Sequence, residues 1–184
     1  MNAKTILITG ATDGIGLETA KALSAAGHRI LLRGRSAQRL DAAAQALTGA
    51  GGPVETFRAD FSMLSSVAGF AQAIVDRAAP LDVVINNAGV LKAPRAMTQD
   101  GLDIRFAVNL FAPVLLMRHL VPILSPTGRI VNLSSAAQSP VSIAALTGTS
   151  SLPEMDAYAQ SKLALTIWSQ ELAQDLPEGQ LSVA

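Results

Sequence analysis

Two residues in the stretch DAYAQSK, Tyr158 and Lys162, have the types and the spacing to move a proton. In a helix, positions i and i+4 lie on one face, so both side chains would enter the same volume. A phenol titrates near ~10 in isolation, and a cation within about 4 to 6 Å favours its phenolate. That is a general acid/base in outline. The same pair also suits an amphipathic helix whose tyrosine lies on the lysine stem.

A second chemistry is written into TGATDGIG, residues 9–16, which follows an apolar run and leads into the helical pattern LETAKALSAAG. Gly10 suits a tight turn, Gly14 lets backbone approach a diphosphate, and Gly16 permits close packing of helix on strand. The first N–H groups of the helix then attract phosphate. No Lys-Ser/Thr pair follows, so a nucleoside-triphosphate P-loop is not supported. A structural turn with incidental glycines is the plainer alternative.

Other chemistries are thinly represented. Fourteen basic and fourteen acidic residues cancel, and no run of Lys or Arg makes a footprint for nucleic acid or an anionic membrane. Without cysteine, and with only His28 and His119, the sequence offers no disulfide, thiolate or histidine cluster, and no metal site is expected. No apolar run reaches the ~18 to 20 residues of a membrane span, and no basic leader precedes a long apolar core. The expectation is a soluble cytoplasmic protein without a membrane span.

The elements that must position these groups alternate along the chain. Strand-like runs at 4–9, 29–33, 54–58, 81–86 and 129–134 are separated by helical patterns at 14–26, 37–48, 63–79, 100–124 and 157–176. Runs such as TILIT, DVVIN and RIVNL are mainly continuous apolar runs rather than strict alternations, which suits strands covered on both faces. A single α/β domain with a doubly wound parallel sheet follows, with ligands bound beyond the carboxyl ends of its strands. Two helices are apolar on more than one side. Leu165, Trp168, Leu172 and Leu176 form one stripe and Leu163 and Ile167 another, while 100–124 carries Phe106, Leu110, Val114, Leu115 and Val121 with a kink at Pro113. A homodimer through these two helices is expected, unless one subunit absorbs both stripes.

The glycine turn, NNAG at 86–89, VN at 108–109, IVNLSS at 130–135 and Y-x-x-x-K at 158–162 together resemble the short-chain dehydrogenase/reductase family, from residue 4 to the end. IRFAVNLFAPVLL and YAQSKLALTIWSQELAQDL are similar to retinol-dehydrogenase-type members. The resemblance implies an NAD(P)-binding Rossmann domain over 1–184 and an oxidoreductase acting on a carbonyl/alcohol pair. It makes Tyr158 the proton donor or acceptor, with Lys162 lowering its pKa and holding the nicotinamide ribose. It gives Ser135 the substrate oxygen, with Ser134 structural on the opposite face, although a loop cap would also use Ser135. Asn109 would support a water leading protons to Lys162, or merely distort its helix. Cofactor contacts are implied for Gly10, Thr12, Asp13, Gly14, Ile15 and Gly16, and for Asn87, Ala88 and Gly89 beside the adenosine ribose, with Asn86 bracing strands. Asp60 takes the adenine position, which an ordinary helix cap would fill equally.

Cofactor choice turns on RILLRGRS, where an acid would read a ribose 2′-hydroxyl and an arginine a 2′-phosphate. Gly34 stands where NAD-preferring relatives show the acid, Arg33 precedes it, Arg35 follows, and Arg39 lies one turn further. A guanidinium fork matches phosphate, so NADP is expected through Arg33 and Arg35, with NAD possible if Arg35 only solvates a surface. Asp13 is a contrary sign, because NADP-preferring members often carry a basic residue there.

Two departures from the family stand out. Ser135 and Tyr158 are 23 positions apart, longer than usual, so AAQSPVSIAALTGTSSLPEMDA is expected to form a flexible, moderately apolar lid for a nonpolar alcohol, aldehyde or ketone. PEGQLSVA reads as entry into a sixth strand, and the family's later strands and substrate segment have no counterpart. Two functions therefore stand: an NADP(H)-dependent oxidoreductase on a small lipophilic substrate, or a non-catalytic dinucleotide-binding sensor or scaffold.

Overall fold

The first apolar run becomes β1 (Thr5–Thr9), the strand from which the sheet grows in both directions. β2 (Arg29–Gly34) and β3 (Val54–Arg58) add on one side, and β4 (Leu81–Asn86), β5 (Leu124–Asn132) and β6 (Leu181–Val183) on the other. The order is β3-β2-β1-β4-β5-β6, with every pairing parallel. This computed structural model describes residues 2–49, 51–77 and 80–184.

Parallel neighbours must be joined by crossovers, and these are helical: α1 (Gly14–Ala25), α2 (Ala37–Leu47) and α3 (Leu64–Val75) follow β1, β2 and β3. After β4 comes α4 (Ile104–Phe106), which runs through a π-helical segment (Ala107–Phe111) into α5 (Ala112–Leu120). The short α6 (Ile143–Leu146) and the long α7 (Glu154–Asp175) follow β5.

The pleat explains the unbroken apolar runs. Ile6, Ile8, Ile30 and Leu32 pack with Leu40, Ala43 and Leu47 of α2 on one face. Leu7, Leu31, Val84 and Ile130 pack with α3 and α5 on the other. With both faces covered, the central strands are mainly apolar, and the buried polar residues Thr9, Arg33 and Asn86 sit at or near their carboxyl ends. The chain leaves β1 for β2 in one direction and reaches β4 in the other, so a crevice opens between the carboxyl ends of β1 and β4.

Several boundaries differ from the sequence expectation. β5 begins at Leu124, because Leu81 pairs with Leu124 before a register irregularity resumes the ladder at Val83 and Arg129. The third helix ends at Val75, and positions 78 and 79 of its expected span lie outside the described residues. The distortion expected at Pro113 sits one turn earlier. Pro113 cannot donate to the carbonyl four residues back, that of Asn109, and its ring crowds it. The helix widens there, and the Ala112 N–H bonds instead to the Ala107 carbonyl. α7 begins three residues early, at Glu154.

Two larger expectations change. The 136–153 stretch is docked rather than free: Ala145 of α6 packs with Phe106, Leu110, Ala157 and Leu165, and the Ser142 N–H donates to Gln160 Oε1 at 2.9 Å. And Ile104–Ile123, twenty residues with a mean hydropathy of 1.6, is long and apolar enough by composition to cross a bilayer, although no such run was expected. Scattered polar residues such as Arg105, Asn109 and Arg118 hide it from a search for unbroken apolar runs. Half of it is buried within this fold.

Candidate active site

α7 is stitched along the end of β5 by polar side chains. Asn132 Nδ2 donates to Ser169 Oγ at 2.9 Å, and Ser134 Oγ lies 3.2 Å from the Lys162 carbonyl and 2.6 Å from Thr166 Oγ1. This fixes the helix so that Lys162 points back at the strand, where its Nζ donates to the Leu133 carbonyl at 2.6 Å. Lys162 is only 4% exposed, and burial pulls its pKa from 10.5 down to about 8. Its Nζ lies 5.7 Å from the centre of the Tyr158 ring, so the i, i+4 spacing does bring the two together.

Tyr158 and Lys162 open into a crevice of about 350 Å³ whose other walls include Asp13, Ile15 and Gly16 of the glycine turn, Asn87 and Gly89, and Leu91. A second cleft of about 180 Å³ continues it. Its walls include Gly10, Thr12, Arg33, Gly34, Arg35, Asp60 and Ala88, and the two share Gly89 and Val90. A single groove therefore crosses the carboxyl edge of the sheet.

The glycine turn is built for close approach. A Cβ on Gly16 would fall 2.4 Å from the Gly10 carbonyl oxygen, whereas Gly14 holds a φ of +51° with nothing within 4 Å of such a Cβ. The first position packs the helix on the strand, and the second leaves room for a ligand. Asp13 caps α1 through its Oδ1 and the Gly14 N–H, and its Oδ2 lies 3.7 Å from Arg39. Ile15 is 71% exposed and lines the crevice. Asn87, expected to contribute backbone beside a ribose, uses its side chain to brace the turn: Nδ2 donates to the Thr9 and Gly10 carbonyls, both at 2.9 Å. The Ala88 N–H donates to Thr9 Oγ1 at 3.0 Å, and Asn86 joins β4 to β5 through Asn132.

Arg33 departs from the expected phosphate fork. It is 5% exposed, its guanidinium carbon lies 3.4 Å over the Phe61 ring, and it donates to the Ala59 carbonyl. The cause is strand alternation: residue 33 falls on the α3 face of β2, while Arg35, just past the strand, is exposed. Burial lowers the Arg33 pKa to about 9, with Asp60 opposing and Arg35 adding to the shift. Arg33 forms part of the cleft floor, which leaves Arg35 as the exposed fork on that rim. Gly34 is enclosed as well, since a Cβ there would fall 2.5 Å from Thr12 Cγ2.

Asp60 is not the cap of α3, which begins after Met63 without a side-chain hydrogen bond. Its Oδ1 accepts from the Ser62 N–H at 3.0 Å and the Ser62 hydroxyl at 2.8 Å, bracing the loop into α3, and it lines the cleft. Burial alone would raise its pKa, but the Ser62 hydrogen bonds and the charges of Arg33 and Arg35 outweigh this and hold it below the usual carboxylate value.

Asn109, fully buried in the π-helical segment, clamps Val90 in both directions: its Oδ1 accepts from the Val90 N–H at 2.7 Å and its Nδ2 donates to the Val90 carbonyl at 3.0 Å. Nδ2 also reaches Ser161 Oγ, which donates to the Tyr158 carbonyl. Ser134, expected on the opposite face, lines the crevice wall, with its hydroxyl bonded to the Lys162 carbonyl and Thr166. Ser135 Oγ accepts from the Ala137 N–H at 3.1 Å, so its loop-capping use is the one formed here, and Leu133 and Ser134 make the crevice wall at this point.

One cluster escaped the sequence reading. Arg105, 1% exposed, donates through Nη1 to both oxygens of Asp103, through Nη2 to Glu154, and through Nε to the Leu91 carbonyl. A lone arginine in the apolar run IRFAVNLF was its only signal.

The family model described as short chain dehydrogenase matches residues 4–184. Retinol dehydrogenase 13 of Homo sapiens is 35% identical over 187 residues, covering 94% of this chain and 54% of that protein. A metagenomic short-chain oxidoreductase solved in complex with NADP is 32% identical, with a TM-score of 0.76 over 94% of this chain and 76% of its own. A short-chain dehydrogenase from Sphingobium yanoikuyae in complex with NADPH is 30% identical, with a TM-score of 0.78 over 97% and 68%. The chain spans about half the length of the curated relatives it matches.

Proposed function

The chain belongs to the short-chain dehydrogenase family, and from that membership we propose that it is an NADP(H)-dependent oxidoreductase interconverting a hydroxyl and a carbonyl on a small, lipophilic substrate. The observation that carries this reading is the groove. It places Tyr158 and Lys162 opposite a glycine turn with open space at Gly14, and continues into a second cleft sized for part of a nucleotide.

The nicotinamide, when bound, supplies or accepts the hydride; the protein's part is proton transfer and orientation. In the reducing direction Tyr158 gives its hydroxyl proton to the substrate oxygen, and in the oxidising direction it takes one back. The Lys162 ammonium beside its ring favours the phenolate left behind. One of the three Lys162 donors is spent on Leu133, so two remain for ribose hydroxyls. In this reading Ser135 leaves its Ala137 contact to hold the substrate oxygen. Asn109 keeps Val90, shared by both halves of the groove, in place.

Preference for NADP(H) is supported by two features of one rim. The space an acid would need at position 34 is taken by Thr12, and Arg35 stands exposed beside it. The lipophilic substrate is supported by exposed apolar side chains on flanking segments, Leu91 at 36%, Ile143 at 68% and Met155 at 53%. The homodimer belongs to the same proposal. A largely apolar groove of about 530 Å³ between α5 and α7, lined by Phe111, Val114, Leu115, Ile167 and Trp168, suits a second copy, and Ile104–Ile123 then acts as a core and interface helix.

The test follows NADPH and NADH oxidation by the purified protein over a panel of carbonyl compounds, with Tyr158→Phe as control. Turnover lost in the variant supports the reading. Nucleotide binding without turnover in either protein would replace it with the non-catalytic scaffold.

A further inference from the structure

We infer that Arg105 is a positioning residue, a buried clamp that sets where Tyr158 stands relative to the opposite wall of the crevice; this rests on the catalytic role proposed for Tyr158. Each arm of the guanidinium holds a different segment. Nη1 meets Asp103 at 3.2 and 3.0 Å, anchoring the fork at the start of α4. Nε donates to the Leu91 carbonyl at 2.9 Å, on the loop after β4. Nη2 donates to Glu154 Oε1 at 2.8 Å, on the first residue of α7.

Two of those segments carry crevice walls. Leu91 lines the same crevice as Tyr158 and Lys162, and Glu154 stands one helical turn before Tyr158. The lower part of α7 is already fixed by Ser134, Thr166, Asn132 and Ser169. Its first turn is capped by Pro153 with no side-chain hydrogen bond, so Arg105 supplies a tie that the cap does not.

Stability alone is a poor reason for this arrangement. An arginine buried to 1% loses its hydration, and a well-packed apolar residue often serves a core as well. A planar fork, by contrast, fixes the direction of each partner as well as its distance. Three segments that meet in one guanidinium cannot drift independently. A small displacement of a reacting group is costly in rate, so the tie has a functional consequence.

Glu154 gives the cleanest test, because its carboxylate is 54% exposed and its replacement leaves the Arg105–Asp103 and Arg105–Leu91 bonds in place. Glu154→Gln and Glu154→Leu remove the same charge, but only the leucine removes the acceptor. Glu154→Leu is expected to lower kcat about tenfold with the KM for NADPH unchanged, while Glu154→Gln stays within about twofold of the parent. Arg105→Lys, which keeps the charge but loses the fork, is expected to follow the leucine variant. A second readout is independent of turnover. Tyr158 is the chain's one tyrosine, so isotope labelling of tyrosine reports its ring alone. Sharp ring resonances in the parent and Glu154→Gln, with broadened ones in Glu154→Leu, support the clamp even if no carbonyl substrate turns over. Identical resonances in the two Glu154 variants, or equal kcat where turnover is seen, would overturn it.

Discussion

Replacing Lys162 with methionine should make the protein's stability less dependent on pH. The folded chain holds this lysine at a pKa of about 8, against 10.5 in the ordinary state, because burial strips its hydration. The charged form is thus penalised by ~3 kcal/mol in the native protein. The sign follows from the protons bound. Between about 8 and 10.5 the unfolded chain keeps a proton that the folded chain has released, so stability rises with pH across this window. Between pH 7 and pH 10 the parent should gain ~2 kcal/mol that Lys162→Met does not. With a urea m-value of ~2 kcal/mol per molar for a chain of this size, the parent's urea midpoint should rise by about 1 M relative to the variant. Arg33, whose pKa of about 9 is also lowered by burial, titrates nearby but is common to both proteins and cancels in the difference. Urea titrations of both proteins at the two pH values, in one salt concentration, give the comparison. Parallel midpoints would mean that Lys162 is not held in a dry site, and the crevice chemistry argued from it would fail.

The rim of the smaller cleft, which carries Arg35, offers two further checks. Arg35→Gln is expected to weaken NADPH binding by about ten- to a hundredfold and leave NADH unaffected, while Asp13→Asn, by releasing Arg39 from its 3.7 Å contact, should strengthen NADPH binding a few-fold at low salt; fluorescence titration reads both. Gly34→Asp should weaken NADPH without improving NADH, since the new Cβ meets Thr12, and the added change Thr12→Gly should then let NADH bind; NADH gained by Gly34→Asp alone would show that the space is not limiting. Ile167→Glu, a charge placed on a 47% exposed position of the α7 groove, should shift the protein to a monomer in light scattering without lowering its melting temperature; an unchanged mass would remove that face from the interface.

The sheet was legible because each central strand is apolar on both faces, and the glycine turn because a φ of +51° at Gly14 and the tight approach at Gly16 demand the residue type that stands there. Tyr158 and Lys162 were legible because a helix fixes i and i+4 locally. What stayed hidden depends on partners distant in sequence. Arg33 reads as half of a phosphate fork until the pleat of β2 turns it onto Phe61, 28 positions later. Glu154 looks like loop until Arg105 holds it, and the fifth strand was expected only from 129 because its first pairing, Leu124 with Leu81, is separated from the rest by a register irregularity. Ser135 carries the expected type at the expected place, yet its hydroxyl is spent on its own loop.

The widened turn between Ala107 and Phe111 makes a proline that lines neither cleft responsible for the groove's shape. If position 113 could donate, the helix would be free to close into regular turns, and the one extra residue of the under-wound turn would be taken up. Everything ahead of it would rotate by about 100°, carrying the Asn109 amide off Val90 and pulling a loop that lines both clefts. Pro113 thus acts as a phase-setting wedge: a ring that lines neither cleft sets which way the amide one turn before it faces.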